Sequence, residues 1–235
     1  MCRERRSVVV HFDTTDPILE APVYSFADAA SYARVPYQTL RYWVRGRGDT
    51  PPLIKVAESQ PIALSFLNLL ECHVLHALRT KYEMQIKSVR RALETLERIS
   101  PCKHPLLEST LRTDKIDLFL ASAGDFINLS RGGQTAMKEV LQKYLQRIET
   151  NESGIPKFFP FVVNDRPEEP KIISIVPTVA FGRSVIDGTG ISTAVVAARF
   201  NAREPIEALA AEYGRTPEEI QEAVIWESNR LAAAA

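Results

Sequence analysis

Between Arg34 and Arg47 the chain holds four arginines and no acid. If Leu40 and Trp43/Val44 face inward on a helix, then Tyr37, Gln38, Arg41, Tyr42 and Arg45 face outward together. These side-chain types suit a DNA groove. Arg pairs bidentately with guanine and Gln with adenine, while neighbouring Arg, Tyr and Thr hold phosphates. The candidate DNA-contacting set is therefore Arg34, Tyr37, Gln38, Thr39, Arg41, Tyr42, Arg45 and Arg47. The plain alternative is a solvated basic face on a small structural helix.

Other residues capable of chemistry lack the required spacing. Cys72-His73-x-x-His76 and Cys102-x-His104 supply metal-ligand types. On a helix, however, neighbours point about 100° apart, so Cys72, His73 and His76 cannot share one face. Gly188-x-Gly190 has no third glycine and opens no βαβ unit, and Asp114 and Asp117 read as isolated carboxylates on a strand edge. No Gly-x-Ser-x-Gly, His-Glu-x-x-His or P-loop occurs. The expectation is a protein that is not an enzyme, with no metal and no cofactor.

The elements that must position these residues follow from pattern. Ser25 can cap a helix Phe26–Ala33 with Phe26, Ala29, Ala30 and Ala33 on one apolar face, and Val35-Pro36 breaks it. A second helix, Tyr37–Arg45, ends at Gly46 and Gly48; two short helices on a tight turn make a helix-turn-helix shape. Leu53–Val56 reads as a strand, Ala63–Arg79 and Met84–Ile99 as helices, and Lys115–Ala121 and Phe126–Ser130 as a hairpin. Gln134–Ile148 is helical by pattern, and Thr150–Gly154 reads as a linker. Beyond it come strands over Phe158–Val163 and Ile172–Val176, and an extended run Pro177–Ile186. Three helices then follow, Ser192–Phe200, Pro205–Tyr213 and Pro217–Arg230, the last with Thr216 and Glu219 as a capping box.

Charge sharpens the division. The 235 residues carry 29 Lys and Arg against 29 Asp and Glu, which excludes a purely electrostatic DNA coat. Split at the linker, residues 1–150 hold 21 basic and 17 acidic side chains, and residues 151–235 hold 8 and 12. A piece of +4 is thus joined to one of −4, which suggests two binding surfaces of opposite sign. In the second piece the last helix carries Glu218, Glu219, Glu222 and Glu227, a surface that a phosphate backbone would repel. Protein, not DNA, is the expected partner there, with Trp226 as a candidate anchor. Cys2, Cys72 and Cys102 form no disulfide framework, and no apolar run is long enough for a signal core or a membrane span. A cytoplasmic protein with no membrane partner is expected.

Two family resemblances add to this. Ser25-Phe26-x-x-Ala29-Ala30-x-x-Ala33-x-Val35-x-x-x-Thr39-Leu40-Arg41-Tyr42-Trp43 resembles the DNA-reading end of MerR-type regulators, over about 25 residues. The Thr50-Pro51-Pro52-Leu53 that follows lacks their basic wing, so metal sensing is not carried over. Ile175-x-Pro177-x-Val179-Ala180-Phe181-Gly182-Arg183-x-Val185-Ile186-x-Gly188-Thr189-x-Ile191 has a second likeness, together with Ile206-x-x-Leu209-Ala210-x-x-Tyr213-Gly214 and Pro217-Glu218-Glu219-Ile220-x-x-Ala223. It resembles a small bacterial domain similar to VapB-type antitoxins, over about 55 residues, departing from the usual pattern at Ser184 and Gly190. That resemblance implies a PIN-like ribonuclease toxin as partner, with Phe181, Arg183, Ile191, Trp226 and Arg230 as candidate toxin-binding residues.

The expected architecture is mainly α with small β elements. It comprises an N-terminal helix-turn-helix over 1–61, a central helical and hairpin region over 62–150 that dimerises, and a three-helix, helix-turn-helix-like domain over 151–235. The expected function is an antitoxin that neutralises a PIN-like ribonuclease and represses its own operon on double-stranded operator DNA, as a homodimer or higher oligomer. The alternative is a stand-alone helix-turn-helix transcriptional regulator whose C-terminal domain oligomerises.

Overall fold

The computed structural model describes residues 14–57, 59–82, 85–99, 102–107, 138–139, 141–151, 153–163 and 168–234. The expected hairpin over 115–130, with Asp114 and Asp117, and Cys2 lie outside the described residues. After a short α1 (Pro17–Glu20), Ser25 starts α2 (Phe26–Tyr32) by accepting the Asp28 amide at 3.1 Å. Arg34, at a φ of 54°, turns the chain, and Pro36 leads into α3 (Tyr37–Arg45). Leu40, Trp43 and Val44 are buried as the pattern requires. Gly46 ends α3 at a φ of 70°, where a Cβ would stand 2.1 Å from the Thr50 carbonyl oxygen.

The strand expected over Leu53–Val56 does not form. Pro51 and Pro52 offer no amide protons, and the Leu53 and Ile54 amides both donate to the Trp43 carbonyl, at 2.7 and 3.0 Å. This ties the segment to the end of α3 as a loop, leaving it no strand to pair with.

The middle of the molecule is α4 (Phe66–Tyr82), followed by α5 (Ile86–Ile99). Residues 66–78 of α4 are all buried, polar ones included, so a helix that reads as amphipathic is in fact enclosed on every side. Its polar side chains are matched. Asn68 donates to the Lys55 carbonyl at 2.9 Å and to Glu71 at 3.1 Å, and Glu71 in turn meets His104 at 3.0 Å.

A four-stranded antiparallel meander follows, β1 (Ile148–Thr150), β2 (Pro156–Phe158), β3 (Ile173–Ile175) and β4 (Ser184–Ile186). Ile148 pairs with Phe158, Phe158 with Ile175, and Ile173 with Ile186, and all five of these apolar residues are buried. The segment read as a linker is the turn of the β1–β2 hairpin, closed by the Asn151 amide donating to the Ile155 carbonyl at 3.0 Å. Ile148, expected to end a helix, begins a strand. Arg147 explains the switch. Fully buried at the end of the helical residues 141–145, its guanidinium donates to the carbonyls of Phe159, Glu169 and Pro160, which pins both flanks of the hairpin.

Three helices complete the chain: α6 (Thr193–Asn201), α7 (Ile206–Tyr213) and α8 (Pro217–Ala234). Arg199 holds α6 to α7 through Glu204, Glu212 and the Tyr213 hydroxyl. The capping box is present, with the Glu219 amide donating to Thr216 Oγ1 at 3.3 Å and the Thr216 amide to Glu219 Oε2 at 2.9 Å. One cluster of buried side chains runs from Leu19 and Leu40 through Leu67 and Ile148 to Ile220 and Trp226. The segments either side of residue 150 therefore share a single core.

Candidate functional site

The outward face of α3 is the first candidate surface. Tyr37, Gln38, Arg41, Arg45 and Arg47 are exposed, while Thr39, Tyr42 and Arg34 are half-buried. Phe26 organises this face: its ring lies 6.1 Å from that of Tyr37 and 5.6 Å beneath the Arg45 guanidinium. Among the described residues no acid pairs with Arg41, Arg45 or Arg47.

The second surface is a turn between β3 and β4. The extended run expected over Pro177–Ile186 is broken by three consecutive left-handed residues, Ala180, Phe181 and Gly182, with φ of 49°, 56° and 74°. The reason is contact. A Cβ at Gly182 would lie 2.4 Å from the Tyr24 hydroxyl, so the backbone can pass over Tyr24 only as glycine. Bending there throws Phe181 outward, 92% exposed, with Arg183 exposed beside it. A left-handed aromatic in solvent is uncommon and locally strained, the sort of feature that collects at binding sites. Beneath the turn lies a cavity of about 490 Å³ lined by Tyr24, Asp28, Tyr32, Arg183 and Arg230 among others. The Tyr24 hydroxyl is buried with no hydrogen-bond partner among the described residues, and burial pushes its pKa far up, so it stays protonated.

The remaining candidates sit where α8 meets α2. Trp226 is 2% exposed and stacks on Tyr32 with ring centres 5.8 Å apart. Arg230 covers the other aromatic contact, its guanidinium 4.8 Å from the Tyr32 ring centre. It donates to Asp28 at 3.1 Å, to Ser31 at 3.2 Å and to Glu227 at 3.0 Å. Glu227 is also buried, facing Ser184 and Thr193, so it adds nothing to the acidic exterior expected of this helix. The structure therefore exposes Phe181 and Arg183, leaves Ile191 half-buried with its amide on Thr189 Oγ1, and places Trp226 and Arg230 inside an intramolecular seam. The residues that receive them, Asp28, Ser31 and Tyr32, were not legible: nothing in the sequence marks a pair separated by 202 positions.

The cysteine and histidine cluster serves the core. His73 meets the Phe158 ring edge at 4.8 Å and its Nε2 lies 3.1 Å from the Tyr144 carbonyl oxygen. Cys72 is fully buried, which holds its thiol protonated. His104 bridges Glu71 at 3.0 Å and Glu20 at 2.9 Å. Burial opposes its charge, but the two carboxylates outweigh burial and raise its pKa, so the imidazolium is favoured.

Comparison with known proteins places this geometry. A family described as a protein of unknown function, DUF433, matches residues 173–226, from β3 to Trp226. The candidate antitoxin VapB45 of Mycobacterium tuberculosis is 25% identical over 230 residues, covering 87% of this chain and 93% of that protein. An uncharacterized protein of the same organism, Rv2308, is 26% identical over 221 residues, covering 88% of this chain and 90% of that protein. The crystal structure of Rv2018 from Mycobacterium tuberculosis shares the fold at a TM-score of 0.66 and 23% identity, covering 88% of this chain and 99% of that one. The chain is thus similar to that candidate antitoxin over most of its length. Among the described residues no helix is long and apolar enough to cross a membrane.

Proposed function

We propose that the protein is the antitoxin of a toxin–antitoxin pair, non-enzymatic, which sequesters a PIN-like ribonuclease through the Phe181 turn and binds operator DNA through α3. The observation that carries this reading is the extent of the likeness. It spans 87% of this chain, a stretch too long to be the DUF433-like segment alone and long enough to take in both α3 and the Phe181 turn. The geometry supports a division of labour, because the outward side chains of α3 do not line the cavity beneath Phe181. Exposed aromatic and arginine side chains dominate interface energetics, and Phe181 with Arg183 supplies both. Arg183 would face the acidic, metal-binding cleft of a nuclease, the role that Arg230 cannot fill while it holds Asp28. Operator binding would use a dimer, as palindromic sites require. Because α4 is enclosed by its own chain, the dimer contact belongs on other surfaces of the central region.

The test is co-expression with a PIN-like ribonuclease encoded by a gene adjacent to this one. A stable complex that Phe181→Ser with Arg183→Glu disrupts is expected. Failure of the native pair to co-purify would leave a stand-alone regulator, a reading favoured by the use of Trp226 and Arg230 within the fold.

A further inference from the structure

The cavity beneath the Phe181 turn, about 490 Å³ in volume, has room for a small molecule, a use separate from docking a toxin on its rim. Its walls bring hydrogen-bond donors together. Arg183 lines it, exposed and with no acid paired to it among the described residues. The start of α6 forms a second wall, through Ser192 and Ala194. Ser192 holds the N-cap position but its hydroxyl makes no capping bond, and no acid stands in the first turn. The Ala194 amide belongs to that turn, where amides have no acceptor within their own helix. The positive end of α6 therefore opens on the cavity, as at many anion sites. Tyr24 is an independent sign of a ligand. It lines the same cavity and is 3% exposed, yet its hydroxyl has no hydrogen-bond partner among the described residues. A buried donor left unmatched is costly, and an acceptor brought into the cavity removes that cost. Asp28 and Arg230 line the cavity too, but they pair with each other at 3.1 Å, so Arg183 sets the sign of charge that the site prefers.

We propose that this cavity binds a phosphate monoester, its phosphoryl group held by Arg183, Ser192, the Ala194 amide and the Tyr24 hydroxyl, and its organic group against Phe181 and Val23. Those two side chains, 92% and 56% exposed, form an apolar rim that an organic group would cover. A phosphate monoester offers three terminal oxygens and a charge of about −2, and so matches more of these donors than a carboxylate does. A cation would meet Arg183 and the positive end of α6, with the one lining carboxylate already taken by Arg230.

The probe is phenyl phosphate, titrated into the full-length protein at fixed ionic strength and about pH 7.5, where the monoester is close to a dianion. Benzoate and phenol are the matched controls, and the assigned Ala194 amide signal is followed by NMR. The expected result is a saturable shift of that signal with phenyl phosphate, binding of benzoate weaker by about tenfold, and no saturable shift with phenol. Arg183→Gln, at an exposed position, should weaken phenyl phosphate by about tenfold. Tyr24→Phe, which keeps the ring beneath Gly182 and removes only the unmatched hydroxyl, should weaken it severalfold. Binding is read on the chain alone, so its failure leaves the co-purification result untouched. The proposal is overturned if the Ala194 signal does not saturate with phenyl phosphate, if benzoate or phenol binds as tightly, or if either variant binds as the native chain does.

Discussion

Arg41 lies on the outward face of α3, exposed and with no acid paired to it among the described residues, so its removal tests recognition without disturbing the fold. Arg41→Ala is predicted to lose roughly 1–3 kcal/mol of discrimination between operator and scrambled duplex, measured by fluorescence anisotropy at fixed salt. Binding that keeps its sequence preference would show that another element reads the bases. Arg230 is the opposite case, an arginine used up internally. Arg230→Met leaves the Glu227 carboxylate, at 9% exposure, without its cation, and about 1–3 kcal/mol of stability should disappear in urea titrations. His104 adds a pH dependence. Its folded pKa is raised above the ordinary 6.5, so its contribution is complete below about pH 6.5 and is lost as pH rises through the folded value. Glu20 runs the other way: its pKa, pulled below 4.5 by Lys103 and His104 against the effect of burial, adds stability above that value and loses it as pH falls. The urea midpoint should therefore fall as the medium is taken alkaline of pH 6.5, and His104→Gln should flatten that limb.

Among the elements, α3 was legible to its last residue because every cue is local: a proline at its start, apolar positions at helical spacing, and glycine at its end. The turn at 180–182 was not, although it carries the most exposed aromatic of the described residues. Its left-handed course is imposed by Tyr24, more than 150 positions away, and no local preference encodes a hydroxyl under a glycine. The same holds for the segment read as a linker, Thr150–Gly154, which instead lies at the turn of a hairpin whose partners are set by the buried Arg147. Gly182→Ala should expose this dependence. With a φ of 74° and a Cβ 2.4 Å from Tyr24, it is predicted to cost about 1–3 kcal/mol and lower the thermal midpoint by several degrees. A fully native midpoint would mean that Tyr24 can yield, and that the turn is not held from below.

At the scale of the molecule, opposite charges on the two halves remain a property of the sequence, but the halves are not separate bodies. Tyr32, between Trp226 and Arg230, joins α2 to α8, and the core runs through both. Counting charges could not reveal this, since Glu227 and Arg230 look like surface residues until their partners are known. Among the candidate surfaces, two remain outside: the arginine face of α3, and the strained turn bearing Phe181 and Arg183. The most direct measurement of the central claim is the ribonuclease activity of a candidate PIN-like toxin on labelled RNA, with equimolar amounts of this chain added. The account predicts that the native chain abolishes cleavage while the Phe181→Ser, Arg183→Glu variant, still folded, restores it; undiminished cleavage in the presence of the native chain would contradict it.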